Sequence, residues 1–175
     1  MSRSPSAPPP SPPAGGDPPL PAGIAAALGR IPSGLFVVTW RWEEQDRGML
    51  ASWVMQCGFE PPMVAIAVAP SRELLTAASR GVPYVVNVLS ESQRSLLSRF
   101  GKPGDDAFAG LPVERTSSGT AAFTEAAAWL ECRPVPEAGP HEAGDHVLLR
   151  GIVIAAASEG ERQPLVHVRR NGLRY

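Results

Sequence analysis

At 175 residues the chain holds one domain, or one domain with a tail. A hydrophobic content of 43% and a net charge of -1 suit a soluble globular protein, and no basic cluster is interleaved with aromatics, which argues against a nucleic-acid surface. No apolar run approaches the ~18 residues that a membrane helix needs.

Residues 1–21 are mostly Pro, Ser, Ala and Gly, without the apolar core of a signal peptide. Such a stretch buries too little surface to fold. It is expected to be a disordered or polyproline-like tail, or a peptide ligand for another domain, leaving 22–175 as the folded unit. With no export signal, Cys57 and Cys132 are expected to be free thiols of a cytoplasmic protein. These two cysteines and His141, His146 and His167 show no tight ligand spacing, so no metal site is expected.

In chain order, 24–28 reads as a short helix broken by Gly29, and 31–34 as a turn. Residues 35–42 are β-branched and aromatic-rich and predict a strand, followed by a charged hairpin turn over 43–47. A second strand is expected over 48–57 and a buried one over 63–68. Ser71 is a plausible N-cap for a helix running to about Arg80. A strand over 84–89 precedes Ser90-Glu91-Ser92-Gln93, which has capping-box spacing, and its helix ends near Phe100-Gly101. Residues 102–120 read as loop, 128–134 as strand, 137–144 as loop, 146–157 as a long strand and 165–169 as a final strand. Helices do not alternate regularly with strands, and no Gly-x-Gly-x-x-Gly or P-loop is present, so an antiparallel barrel fits better than a doubly wound parallel sheet.

Several segments carry candidate chemistry, each with an ordinary alternative. Ala51-Ser52-Trp53-Val54-Met55-Gln56-Cys57 places small and polar residues where a strand normally presents Val or Ile. That leaves room for a flat ring with an apolar end and a polar edge, such as an isoalloxazine, served by backbone N–H groups and the Gln56 amide. On pattern alone, an ordinary strand with Trp53 packed at an interface is the better account. Ser71-Arg72-Glu73 at a helix start would suit a phosphate, or be a simple cap with a surface arginine. Phe100-Gly101 is either a C-cap or a phosphate-facing turn. In Gly144-Asp145-His146 the first two residues make a turn, and the histidine is structural or ligand-facing. The basic run from His167 to Tyr175 covers a site, crosses a dimer or frays.

Taken in order, these segments resemble the flavin reductase-like family with the FMN-binding split barrel. The resemblance covers about 25–175. It is carried by Ala27-Leu28-Gly29-Arg30-Ile31-Pro32-Ser33-Gly34-Leu35, Gly48-Met49-Leu50-Ala51-Ser52, Phe59-Glu60-Pro61-Pro62, Val86-Asn87-Val88-Leu89, Trp129-Leu130-Glu131-Cys132 and Ala143-Gly144-Asp145-His146. Ser52-Trp53-Val54 and Val166-His167-Val168-Arg169-x-Asn171-Gly172 are similar to the reductase module fused to some flavodiiron proteins. The resemblance implies a mainly β fold, a six-stranded antiparallel Greek-key split β-barrel with short flanking helices, acting as a homodimer. It implies FMN, or FAD, along Leu50, Ala51, Ser52, Trp53, Val54, Gln56 and Cys57. Ala67, Ser71, Arg72, Phe100 and Gly101 are then expected near ribityl and phosphate, and His146 and Tyr175 near the nicotinamide.

The implied activity is hydride transfer from NADH or NADPH to flavin N5, supplying reduced flavin or electrons to an oxygenase or flavodiiron protein. The alternative is a non-catalytic FMN-binding electron-transfer protein without a nicotinamide site. No catalytic acid–base residue is named, because the cofactors carry the chemistry. Ser52, where many relatives have Asn, and Gly58, where many have Ser, depart from the family pattern.

Overall fold

The computed structural model describes residues 22–102, 104, 106–135, 142–158 and 160–173. The expected tail over 1–21 and the terminal Tyr175 lie outside the described residues. The described residues open with a short helix, α1 (Ala22–Gly29), then a two-residue strand, β1 (Ser33–Gly34). The β-branched run forms β2 (Phe36–Trp42), which pairs antiparallel with β3 (Gln45–Ala51). The hairpin turn is tighter than the expected 43–47. Trp42 pairs with Gln45, and only Glu43 and Glu44 turn, at φ 49° and 62°. Positive φ at both central residues matches the right-handed strand twist, so Gln45 to Arg47 are free to join the ladder.

The expected single strand over 48–57 is two strands. It breaks after Ala51, and β4 (Val54–Phe59) pairs with β5 (Pro62–Val68), not with β2. The helix α2 (Glu73–Ser79) follows, with Arg72 rather than Ser71 at its N-cap and no side-chain cap bond. Leu74, Ala77 and Ala78 on α2 are buried and close one end of the barrel interior. Next come β6 (Tyr84–Val88) and a capping box joining Ser90 and Gln93. That box opens only a single 3₁₀ turn, and the helix α3 (Leu96–Gly101) is a separate element.

The stretch read as loop over 102–120 contains β7 (Val113–Arg115), which pairs with β8 (Ala121–Phe123). The remaining strands are β9 (Ala128–Pro134), β10 (Glu142–Ala143), β11 (His146–Ser158) and β12 (Val166–His167). Ala143 pairs with His146, so Gly144 and Asp145 form the turn. Gly144 sits at φ 65°, in the left-handed region where a Cβ is penalised. Residues 137–141 of the expected 137–144 loop lie outside the described residues. The final strand is shorter than expected, two residues rather than five.

The main sheet runs β3-β2-β6-β9-β11-β5-β4, with β10 on β11, and every pairing is antiparallel. Its two edge strands, β3 and β4, are consecutive in sequence and separated only by Ser52 and Trp53. Two residues span at most about 7 Å. The sheet must therefore curl until its edges meet there, which makes a barrel split between β3 and β4. The six expected barrel strands become seven because one of them turns this corner.

Two cores flank the sheet. Val38, Trp40, Ile66, Val68, Tyr84, Val86 and Cys132 fill the barrel interior. Leu35, Val37, Leu89, Phe100, Phe123 and Leu165 pack on the outer face of β2 and β6. The β7–β8 hairpin is fastened over that outer face by buried polar groups. Asn87 donates to the Val37 carbonyl (3.0 Å) and accepts from the Phe123 N–H (2.7 Å), while Thr39 Oγ1 donates to the Ala121 carbonyl (2.6 Å). Glu131, fully buried on β9, accepts from Ser117 Oγ (2.9 Å) and the Ser118 N–H (3.0 Å).

Residues 165–173 form a strap rather than a frayed end. The Leu165 N–H donates to Leu89, the Leu165 carbonyl accepts from the Leu35 N–H, and the Gly172 N–H donates to the Ala25 carbonyl at 2.7 Å. Between these anchors β12 pairs with β1. The strap also lies hard against α1, because a Cβ at Gly29 would stand 2.6 Å from the Arg169 carbonyl oxygen.

Candidate functional site

The corner between the two edge strands opens onto a cleft of about 810 Å³. The end of β3 supplies Met49, Leu50 and Ala51, the corner after it Ser52, and the end of β5 with its connection to α2 supplies Ala67, Val68, Ala69 and Arg72. The third wall is Leu97 and Gly101 of α3, and His146 stands at the start of β11. Residues 167–171 of the strap close the fourth side. A Cβ at Gly101 would meet nothing nearer than Leu50 Cδ2 at 4.0 Å, so the space beside it is open.

Ser52 is the informative member of this set. Its side chain is buried, at 7% exposure, and its Oγ has no hydrogen-bond partner. Buried hydroxyls are nearly always paired, because an unmade bond costs about 1–3 kcal/mol. On the wall of a cleft, such a hydroxyl is a group that a polar ligand edge could pair with. The wall chemistry agrees with a flavin. Met49, Leu50, Val68 and Leu97 are apolar, Ala51, Ala67, Ala69 and Gly101 leave a slot, and Arg72 offers a guanidinium to a phosphate.

Trp53 is not on the cleft wall but adjoins it through its neighbours. Its carbonyl accepts from the Ala67 N–H at 3.0 Å, which ties the corner to β5. Its ring lies 4.8 Å from that of His146, and the Arg169 guanidinium carbon sits 5.0 Å from the Trp53 ring centroid. His146 Nδ1 lies 2.7 Å from Asp145 Oδ1. The imidazole holds the exposed Asp145 carboxyl below the usual carboxylate range, through that hydrogen bond first and its charge second. An ionised carboxylate can only accept, so Nδ1 is the donor in this pair and the ring orientation is fixed by it.

Of the residues singled out from sequence, Leu50, Ala51, Ser52, Ala67, Arg72, Gly101 and His146 come together on the cleft. Others do not. Val54, Gln56 and Cys57 lie on β4, past the corner, and the last two are exposed on an edge strand. The corner redirects the chain, and these side chains go with it. Ser71 is exposed and off the wall. Phe100 is 1% exposed and belongs to the outer core, packed on Phe108 and Phe123. It also fills the space that a side chain at Gly48 would need, 2.7 Å from a Cβ there. Cys57 and Cys132 are free thiols, and burial, with the charge of Glu131 second, pushes Cys132 up to about 12.

Several wall residues carried no readable signal, among them Leu35, Val68 and Leu97, which are ordinary apolar positions until the fold gathers them. The strap residues carried a partial one, since a basic segment near the end of the chain was a candidate to cover a site.

A curled antiparallel sheet with a cleft at its split is a split barrel, and the unpaired Ser52 hydroxyl and the Arg72 guanidinium on that cleft suit a flavin. The chain belongs to the Flavin reductase like domain family, whose model matches residues 28–173. It is 34% identical over 162 residues to Diflavin flavoprotein A 1 of Synechocystis sp., covering 89% of this chain and 28% of that protein. The chain thus spans little more than a quarter of that relative's length. Among solved structures, it is similar to the NADH:FAD oxidoreductase SgcE6 of Streptomyces globisporus in complex with NAD and FAD fragments, at 26% identity and TM-score 0.73, covering 81% of this chain and 84% of that one. A nitrilotriacetate monooxygenase component B homologue of Mycobacterium thermoresistibile shares the fold at TM-score 0.75 and 24% identity, covering 85% and 82% of the two chains.

Proposed function

We propose that this chain is an NAD(P)H-dependent flavin reductase that binds FMN in the cleft at the barrel split. The observation that carries the reading is Ser52, a buried and unpartnered hydroxyl on the wall of a slot made of small residues. Family membership and the SgcE6 complex with NAD and FAD fragments support it.

In this reading Leu50, Ala51 and Ser52 bind the ring, with Ser52 Oγ at its polar edge, and Arg72 takes the phosphate. Bound flavin supplies a two-electron acceptor for the hydride of a nicotinamide. The remaining work of the protein is positioning. Met49, Leu50, Val68 and Leu97 give an apolar wall that keeps water from the ring faces. His146, held by Asp145 and Trp53, sets where a second flat ring can enter, so that two rings stack at about 3–3.5 Å in an attack-ready geometry. Hydrogen-bond donors at the polar edge favour the negative charge that develops there on reduction.

Reduced flavin or electrons then pass to a partner oxygenase or flavodiiron protein, a role that the diflavin flavoprotein relative supports. The chain acts as a homodimer in this reading. Phe59 and Met55, 89% and 64% exposed on the edge strand β4, are the apolar surface that a second copy would cover.

Anaerobic titration of the FMN-loaded protein with NADH and NADPH tests the activity. Loss of the flavin absorbance near 450 nm with either donor supports the reductase. A flavin that binds but is bleached by neither donor means a non-catalytic electron-transfer protein.

A further inference from the structure

The cleft holds more positive charge than one flavin phosphate requires. Arg72, Arg169 and Arg170 line it with two histidines, and no Asp or Glu lines it among the described residues. A phosphate monoester carries about -1.5 to -2 at neutral pH, which one guanidinium with nearby N–H groups can serve. Arg169 and Arg170 stand on a separate element from Arg72, and that element is built in. Hydrogen bonds at Leu165 and Gly172 pin both ends of the strap, and Gly29 is the only kind of residue that lets it seat against α1. Stacking on Trp53 fixes Arg169 in turn, so little side-chain freedom is left to lose on binding.

Arg169 lies over the Trp53 ring, which packs against His146, and Arg170 follows it along the same cleft wall. A ligand with a flat ring joined to a pyrophosphate matches this layout, with its ring beside His146 and its two negative charges on the two guanidiniums. We propose that Arg169 and Arg170 form a second phosphate site, distinct from Arg72, which binds the pyrophosphate of the nicotinamide dinucleotide. The inference rests on the flavin reductase reading and deepens it. It makes the strap the element that captures the hydride donor, while the β3 and β5 walls hold the flavin. Planar guanidinium forks suit phosphate oxygens in pairs, so lysine is a poor replacement at either position.

The test is calorimetric titration of NAD+ and NADP+ into FMN-loaded protein at low salt, for wild type, Arg169→Ala, Arg170→Ala and Arg170→Lys. FMN affinity is measured separately by flavin fluorescence. Arg170 is exposed, so its variants are expected to fold as the parent does. Each alanine variant is expected to weaken both dinucleotides about 10-fold, the scale of one charge-assisted contact, with FMN affinity changed less than about 2-fold. Arg170→Lys is expected to recover only part of the loss. Unchanged dinucleotide affinity, or FMN affinity falling in step, overturns the proposal. A loss confined to NADP+ overturns it in favour of a 2′-phosphate site. A wild type that binds FMN but neither dinucleotide overturns the reductase reading as well, and so separates the two failures.

Discussion

Replacing Ser52 by alanine should move stability and ligand affinity in opposite directions. In the protein without flavin, Ser52 Oγ is buried and unpartnered, at 7% residue exposure. A dry orphan hydroxyl costs about 1–3 kcal/mol, offset in part by the packing that is given up when the oxygen is removed. Removing it should therefore stabilise the flavin-free protein by about 0.5–1 kcal/mol, which is roughly 1–4 °C in Tm for a domain of this size. With FMN bound, the same change deletes one neutral hydrogen bond, about 0.5–1.5 kcal/mol, or roughly 2- to 13-fold in Kd. Differential scanning fluorimetry of the flavin-free and FMN-loaded forms, with a fluorescence titration of FMN, measures both. A Ser52→Ala protein that is less stable without flavin and binds FMN as tightly as its parent refutes the assignment of Ser52 to the ring edge.

Three further outcomes test the scaffold and assembly. Asn87→Ala orphans the buried Phe123 N–H and is expected to cost about 1–3 kcal/mol, read by urea denaturation. A loss under 0.5 kcal/mol would mean that the β7–β8 hairpin is held by its apolar contacts alone. Burial pulls the Glu131 carboxyl up, but hydrogen bonds from Ser118, Thr116 and Ser117 outweigh it and hold the group below the usual range. Its stabilising contribution is therefore present above the unfolded carboxylate value, near 4.3, and is lost as pH falls through the lower folded value. Glu131→Gln should flatten the acid limb of a Tm-against-pH curve, and an unchanged limb contradicts this. If the proposed homodimer forms through β4, Phe59→Asp should leave the chain folded but shift its light-scattering mass from dimer to monomer, and a persistent dimer would remove β4 from the interface.

Much of the barrel was legible because its strands are local objects. The β-branched run at 36–42, the apolar run at 63–68 and the long strand from His146 each announce themselves by composition and turn signals. The break at Ser52 was not legible. Nothing in Leu50-Ala51-Ser52-Trp53-Val54 resists extended backbone, and the corner arises only because β3 and β4 choose partners at opposite ends of the sheet. That one tertiary choice explains why Gln56 and Cys57 leave the cleft while Leu50 to Ser52 stay. Phe100 was misplaced for a related reason. Its position beside Gly101 suggested a turn facing a ligand, yet the vacancy at Gly48 draws its ring into the core. The β7–β8 hairpin was hidden because its strands are three residues each and owe their place to Asn87 and Thr39, far away in sequence.

The bond between Gly172 and Ala25 brings the first helix and the last turn of the folded unit to one corner of the molecule. That corner adjoins the cleft mouth, since the strap that ends there also lines the cleft. A domain tethered to either end of this unit therefore leaves from the same port. A domain fused in either order would join the unit beside the cleft.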